Sequence, residues 1–265
     1  MNLELQGRTA LVTGSTAGIG RAVARALAAE GAEVIVNGRG AAGVAATLAA
    51  LRSELGPEAR LRGCAADLAT ADGCAALLTE HPEVDILVNN LGIFEAKAID
   101  DISDADWMRF FEINVMSGVR LSRHYLQRMK AADWGRIVFI SSESGLCPSA
   151  EMVHYSMSKT AQLAVARGIA ETTVGTGVTV NSVLPGQTRT EGAEAFFSRM
   201  ASEQGVAPDA AIARFFKDAR PTSLLRRLAE PSEVAAVVAF VCSAQAAVIN
   251  GAAVRAEGGV VRCIG

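Results

Sequence analysis

Apolar positions along this chain follow two alternating rhythms. Short continuous apolar runs predict buried strands at Thr9–Thr13, which stops at Gly14, and at Glu33–Asn37, Leu61–Ala65, Ile86–Asn89, Arg136–Ser141, Val178–Leu184 and Ala253–Ala256. Between them, apolar residues recur at helical spacing. They predict helices over Ile19–Glu30, closed by Gly31, and over Ala41–Leu55, closed by Gly56-Pro57. A long helix over Asp104–Ala131 begins with carboxylates at 104 and 106, which suit the positive end of the helix dipole. Further helices are expected over Val153–Thr173 and over Glu230–Ser243, with Pro231 in the permitted first turn.

Several of these strands are apolar on both faces, and strand and helix alternate nearly throughout. Together these features predict an α/β fold of Rossmann type, a doubly wound parallel sheet with helices on both faces. No repeat or linker divides the chain, so residues 1–265 are expected to form one domain. The rhythm breaks between Gly186 and Arg227. Two helix-like pieces stand there, near Glu191–Arg199 and Asp209–Lys217, without a strand. Such an insertion at a strand's C-terminal end is where a short helical substrate lid, residues 187–228, would sit.

Composition narrows the classes. Half of the 265 residues are hydrophobic and 20% are charged, which supplies a sizeable core and excludes a largely disordered chain. A net charge of −3 with no basic stripe argues against nucleic acid as a partner. No apolar run reaches the roughly 20 residues of a membrane span, and Met1–Arg8 carries no apolar signal core. The five cysteines are odd in number and never two residues apart, so neither a disulfide framework nor a metal knuckle is expected, and a reducing cytoplasm fits. His81, His124 and His154 lack metal-ligand spacing.

Thr13-Gly14-Ser15-Thr16-Ala17-Gly18-Ile19-Gly20 joins the first predicted strand to the first helix. Glycines permit a sharp turn and a close approach, and the helix N-terminus adds free amide donors, a combination suited to a pyrophosphate. This loop resembles the cofactor loop of the short-chain dehydrogenases/reductases, in the compact subfamily of about this length, and the resemblance runs along almost the whole chain. It implies a dinucleotide held by Gly14, Ser15, Thr16, Gly18, Ile19 and Gly20. It extends to Asp67-Leu68, which would bracket the adenine, and to Asn90 and Gly92 in Asn89-Asn90-Leu91-Gly92, where Leu91 replaces the family's usual alanine. Asp67 would otherwise cap the helix that starts near Thr70. After the sixth strand, Pro185, Gly186, Thr188 and Thr190 resemble the segment that holds the nicotinamide carboxamide.

The second strand ends Asn37-Gly38-Arg39. Gly38 fills the slot where NAD-preferring relatives carry Asp, and Arg39 beside it suits a 2′-phosphate. NADP(H) is therefore expected, with NAD(H) as the alternative; the other reading of Arg39 is a solvated loop residue. Ala17 stands where many NADP-users place a second basic residue.

Tyr155 and Lys159 are four apart on a predicted helix, hence on one face one turn apart. A tyrosine titrates near about 10 in water, and a neighbouring ammonium is expected to lower it. Tyr155 is then a general acid for ketone reduction and a base in reverse. Ser142, thirteen residues before Tyr155 at the end of the fifth strand, would hydrogen-bond the developing oxyanion. Its neighbour Ser141 should point to the other face. By resemblance, Asn114 supports a water relay from Lys159 to solvent.

The resulting expectation is an NADPH-dependent reductase of ketones and aldehydes, with a small carbonyl or alcohol compound as partner and Ser142, Tyr155, Lys159 and Asn114 as its catalytic set. The resemblance further implies a homotetramer with Glu230–Ala256 in its interface. An NAD-dependent alcohol dehydrogenase and a dinucleotide-binding sensor without turnover stand as alternatives. Glu143 and Glu151 read by default as solvated loop carboxylates, with contact to a polar substrate as the alternative; Cys147 reads as a buried inert thiol, and Phe196, Phe197, Phe215 and Phe216 as lid packing, with an apolar substrate as an alternative partner for some of them. Glu257-Gly258-Gly259 departs from the family's more usual Asp-Gly-Gly.

Overall fold

In the computed structural model, which describes residues 2–264, the apolar runs become β1 (Thr9–Val12), β2 (Glu33–Gly38), β3 (Leu61–Ala65), β4 (Ile86–Asn89), β5 (Gly135–Ile140), β6 (Val178–Pro185) and β7 (Ala253–Ala256). Met1 and Gly265, the ends of the expected domain, lie outside the described residues. All neighbouring strands pair in parallel, in the order β3-β2-β1-β4-β5-β6-β7. The chain reverses its direction of growth between β1 and β4, and in such sheets a crevice opens there, beyond the strands' C-terminal ends.

Alternation along each strand sorts side chains to the two faces. Val12, Val36 and Val88 join Val23 and Leu27 of α1 (Gly18–Ala29) and Val234 and Val238 of α9 (Pro231–Cys242) on one side. Leu11, Ile35, Leu87 and Phe139 join Leu77 of α3 (Ala71–Glu80), Tyr125 of α5 (Ser117–Ala131) and Ala166 of α6 (Val153–Glu171) on the other. α2 (Ala41–Leu55) contributes Leu51 to the first layer. Residues such as Leu11 and Leu87 are fully buried. Truncating one of them to alanine would cost about 2–5 kcal/mol through lost transfer energy and the cavity left behind. The sheet is thus a rigid floor for whatever its C-terminal edge carries.

Three expectations need correction here. The helix expected over Asp104–Ala131 is not continuous. α4 (Asp104–Phe111) leads into a single π turn at Glu112–Met116, and α5 follows. Inside the turn, the Asn114 carbonyl accepts a side-chain donor, Gln162 Nε2, at 2.6 Å. A side chain inserted at a helix backbone, with one extra residue per turn, is how such bulges arise. One extra residue shifts the apolar period too little to be seen in the sequence. Secondly, Thr70 caps α3, accepting from the Gly73 amide at 3.0 Å, while Asp67 accepts from Ala69 N. Thirdly, the helices of the insertion run longer than their apolar spacing suggested.

The two helices of the insertion are α7 (Glu191–Gln204), capped by Thr190 Oγ1 and ended by Gly205 at φ +62°, and α8 (Pro208–Asp218). Phe197 and Phe216 pack with Leu228 beneath them, and Phe196 and Phe215 join at the margin. Both ends of the insertion are tied together: Ala229 N donates to Gln187 O at 2.9 Å and Arg189 N to Ala229 O at 2.8 Å. Among the described residues, no helix is long and apolar enough to cross a membrane.

Candidate active site

The turn from β1 into α1 is built to admit a ligand closely. Gly14 and Gly18 sit at φ +58° and +52°, in the left-handed region that glycine tolerates. A Cβ on Gly20 would meet Asn90 Nδ2 at 2.4 Å and Gly14 O at 2.6 Å. Asn90 Nδ2 holds the turn by donating to Thr13 O and Gly14 O at 2.9 and 3.1 Å. The N-cap residue of α1 is Ala17, which offers no side-chain acceptor to the first-turn amides. Ile19 and Gly20 line the cleft that they face. Glycine cradle and uncapped helix N-terminus together fit a dinucleotide pyrophosphate. Ser15 is fully buried and turned inward, donating to Val12 O at 2.7 Å. Thr13 Oγ1 accepts from Asn90 N and Leu91 N, both at 2.9 Å, so with the larger Leu91 the path of this loop is still secured, by the Thr13 side chain.

At the end of β2, Gly38 is buried and a Cβ there would meet Thr16 Cγ2 at 2.5 Å. Arg39 is exposed, and among the described residues its side chain makes neither a hydrogen bond nor an ion pair. Asp67 is exposed and Leu68 buried at the end of β3.

A cleft of about 330 Å³ runs from this turn to α7 and α8. Tyr155 and Lys159 reach it from α6, Ser142 from the end of β5, and Asn90, Gly92, Pro185, Gly186, Thr188 and Thr190 from the strand ends. Ser141 also borders the cleft, but its hydroxyl is engaged, donating to the Lys159 carbonyl at 2.8 Å. The Lys159 ammonium lies 5.6 Å from the centroid of the Tyr155 ring and donates to Ile140 O at 2.8 Å. Asn114 is 1% exposed, and its side chain is fully engaged: Nδ2 donates to Ile93 O and Ser158 Oγ, and Oδ1 accepts from Ile93 N.

Electrostatics here run against the expectation of a tyrosine lowered by its lysine. Burial pushes the Tyr155 phenol up, the Glu143 charge adds to the rise, and a hydrogen bond with Ser142 opposes both. Burial also brings Lys159 down to about 7, against the pull of Glu143. A lysine that titrates near neutrality supplies its full charge only in the acidic part of the range, so it cannot hold the phenol down throughout.

Two polar residues at the site, Gln162 and Arg220, were not read from the sequence, and a third, Glu143, was read by default as solvated. Gln162, buried on α6, accepts from Lys159 Nζ at 3.2 Å while its Nε2 donates to Asn114 O, so an amide spans the gap between lysine and π turn. Glu143, expected in solvent, is 4% exposed; it accepts from Ser142 Oγ at 2.5 Å and from Gln187 Nε2 at 2.6 Å. Arg220, just beyond α8, brings Nε to 3.8 Å from Glu143 and Nη1 to 3.4 Å from the exposed Glu151. Cys147, expected to be buried, is exposed, because the chain after the short 3₁₀ turn at Glu143–Gly145 runs outward. His154 is fully buried against Phe110, with ring centroids 4.1 Å apart, as a structural residue.

A parallel sheet with a mid-sheet reversal, a glycine turn feeding a helix N-terminus, and a phenol, an ammonium and a hydroxyl in the same crevice define a nucleotide-dependent oxidoreductase. The profile of the family described as short chain dehydrogenase matches residues 8–201, and the chain belongs to that family. It is 52% identical over 264 residues to the uncharacterized oxidoreductase YvaG of Bacillus subtilis strain 168, covering 100% of each chain. It is 34% identical over 261 residues to the D-beta-hydroxybutyrate dehydrogenase of Cupriavidus necator, covering 97% of this chain and 99% of that one. The crystal structure of L-sorbose reductase from Gluconobacter frateurii, complexed with NADPH and L-sorbose, matches with a TM-score of 0.92 at 26% identity over 100% of both chains. The protein is accordingly an NAD(P)-dependent enzyme acting on CH–OH and C=O groups.

Proposed function

We propose that this enzyme reduces ketones or aldehydes with NADPH, and oxidises the corresponding alcohols in reverse. The observation that carries the reading is one continuous cleft with the glycine turn at one end and Tyr155, Lys159 and Ser142 on its wall. In this reading Gly14, Ser15, Thr16, Gly18, Ile19 and Gly20 hold the pyrophosphate, Asn90 and Gly92 back the ribose side, Asp67 and Leu68 bracket the adenine, and Arg39 takes the 2′-phosphate. Pro185, Gly186, Thr188 and Thr190 orient the carboxamide. When bound, the nicotinamide supplies the hydride that adds to the carbonyl carbon.

The chain's own residues handle the proton. Tyr155 donates its phenolic hydrogen to the carbonyl oxygen as negative charge develops there. Ser142, whose hydroxyl hydrogen goes to Glu143 Oε2 in this structure, turns it to the same oxygen when the carbonyl docks. A phenol kept protonated by burial suits the reducing direction. Lys159, held by Ile140 O and Gln162, makes the phenol easier to ionise whenever it is charged, and Asn114 fixes Gln162. We further read residues 1–265 as a single domain with residues 187–228 as its lid. We also place the enzyme in the cytoplasm, which its unpaired cysteines suit, as a homotetramer, for which the half-exposed edge strand β7 offers a surface.

Tyr155→Phe tests the chemistry. Turnover should fall by about 10²–10⁴-fold, the usual worth of a positioned acid, while NADPH binding by fluorescence titration persists. An unchanged rate would end this mechanism.

A further inference from the structure

Glu143 lies in the wall of a cleft that Lys159, Glu151 and Arg220 also line, with Phe94, Met152, Phe196 and Phe215 as its apolar walls. Its two oxygens are unequally used. Oε1 takes Gln187 Nε2 at 2.6 Å and Ser144 Oγ at 3.4 Å, with Arg220 Nε at 3.8 Å; Oε2 takes only Ser142 Oγ at 2.5 Å. An ionised carboxylate has about four lone-pair sites, so Oε2 keeps capacity for another donor. The neighbouring cation is divided, because Arg220 also faces Glu151 at 3.4 Å. A carboxylate buried with partial compensation favours any ligand that brings it a hydrogen-bond donor and disfavours one that brings negative charge.

Its position selects which donor. In the function proposed above, on which this inference rests, the reacting oxygen docks against Ser142 Oγ. A group bonded to the carboxylate that also touches Ser142 then sits on the carbon next to the reacting one. We infer that Glu143 recognises a hydroxyl adjacent to the carbonyl, so that the substrates are uncharged α-hydroxy ketones, and vicinal diols in the reverse direction. During reduction the hydride forms the new C–H bond, the carbonyl π pair moves to oxygen, and Tyr155 supplies the proton. Glu143 only accepts hydrogen bonds and exchanges no proton. The aromatic lid residues cover the uncharged remainder of the substrate. A carboxylate beside the carbonyl, as in a 2-keto acid, meets Glu143 instead.

The test compares hydroxyacetone, 2-butanone and pyruvate, three ketones that differ in one group, with NADPH. kcat/KM for hydroxyacetone should exceed that for 2-butanone by about 10–100-fold, the worth of a hydrogen bond to a charged group, and pyruvate should be poorest. In Glu143→Gln the hydroxyacetone-to-butanone ratio should collapse toward unity. Calorimetry on the enzyme–NADPH complex, where no alcohol can react, should show 1,2-propanediol binding more tightly than 2-butanol. Equal kcat/KM for hydroxyacetone and 2-butanone, or equal binding of diol and butanol, overturns the inference. If 2-butanone is reduced as well as hydroxyacetone and Tyr155→Phe abolishes both, the inference fails while the proposed function stands. If Tyr155→Phe leaves the rates unchanged, that function itself fails. Should the Glu143 variant not fold, the wild-type ratio and the diol comparison still decide.

Discussion

Arg39→Ala probes the cofactor reading at a residue that the fold does not use. The side chain is exposed and makes no hydrogen bond or ion pair among the described residues, so removing it should alter folding stability by less than about 0.5 kcal/mol. A charge-assisted bond to a 2′-phosphate is worth about 1.5–3 kcal/mol, and exposure to solvent and salt brings that nearer 1–2. At about 1.4 kcal/mol per tenfold, kcat/KM for NADPH should drop about 5–30-fold, with NADH changed no more than about twofold. Initial rates followed by nicotinamide absorbance, with each cofactor varied against one saturating ketone, measure both; thermal melts check the fold. An equal loss with both cofactors, or none with NADPH, would refute the assignment of Arg39. The complementary change sharpens the point. Gly38→Asp would supply the carboxylate of NAD-preferring relatives, but its Cβ would meet Thr16 Cγ2 at 2.5 Å and Val44 Cγ2 at 3.3 Å. Alone it should destabilise the protein by about 1–3 kcal/mol, as overpacking does. Thr16→Ala in the same chain should relieve that crowding and reveal the gain in NADH use.

Two further expectations concern the lysine. Lys159 titrates near 7; its ammonium fraction falls as pH rises through that value, so kcat/KM for ketone reduction should decline there with a slope of one proton, and a profile flat to about pH 9 would refute a role for the charge. Gln162→Leu removes an acceptor from Lys159 and strands the Asn114 carbonyl. It should cost about 1–3 kcal/mol of stability and move the same descending limb to lower pH, whereas a purely structural residue would lower stability and leave the limb in place.

What the sequence shows of this enzyme depends on whether the physics is local. Tyr155 and Lys159 could be paired before any coordinates because helical spacing alone brings them to one face. Gly14, Gly18 and Gly20 were legible for a similar reason, since glycines between a strand and a helix mark a tight turn: Gly14 and Gly18 take positive φ, and a Cβ on Gly20 would strike Asn90. The continuous apolar runs likewise marked the seven strands of the sheet. The burial of Glu143 escaped because its environment is not local. A Ser-Glu-Ser segment after a strand reads as solvated loop, and burial comes from Gln187, 44 positions away, and from Arg220. The π turn escaped because a one-residue excess hardly disturbs an apolar period, although it places Asn114 O against Gln162. Cys147 was misread on composition, where a thiol counts as apolar, though its loop carries it outward.

The same division bears on catalysis. The local motif supplies the acid and its helix partner, but their proton affinities are set by residues far off in sequence. Glu143 raises both Tyr155 and Lys159, and burial moves them in opposite directions. A relative with the same Tyr-x-x-x-Lys and an uncharged residue at position 143 would therefore share the reaction type yet differ in its pH profile. Its Ser142 hydroxyl would also lack the carboxylate that accepts its hydrogen here. The conserved-looking motif and the working pH of such enzymes are thus separable properties, and the second is written mainly in the residues that close the cleft.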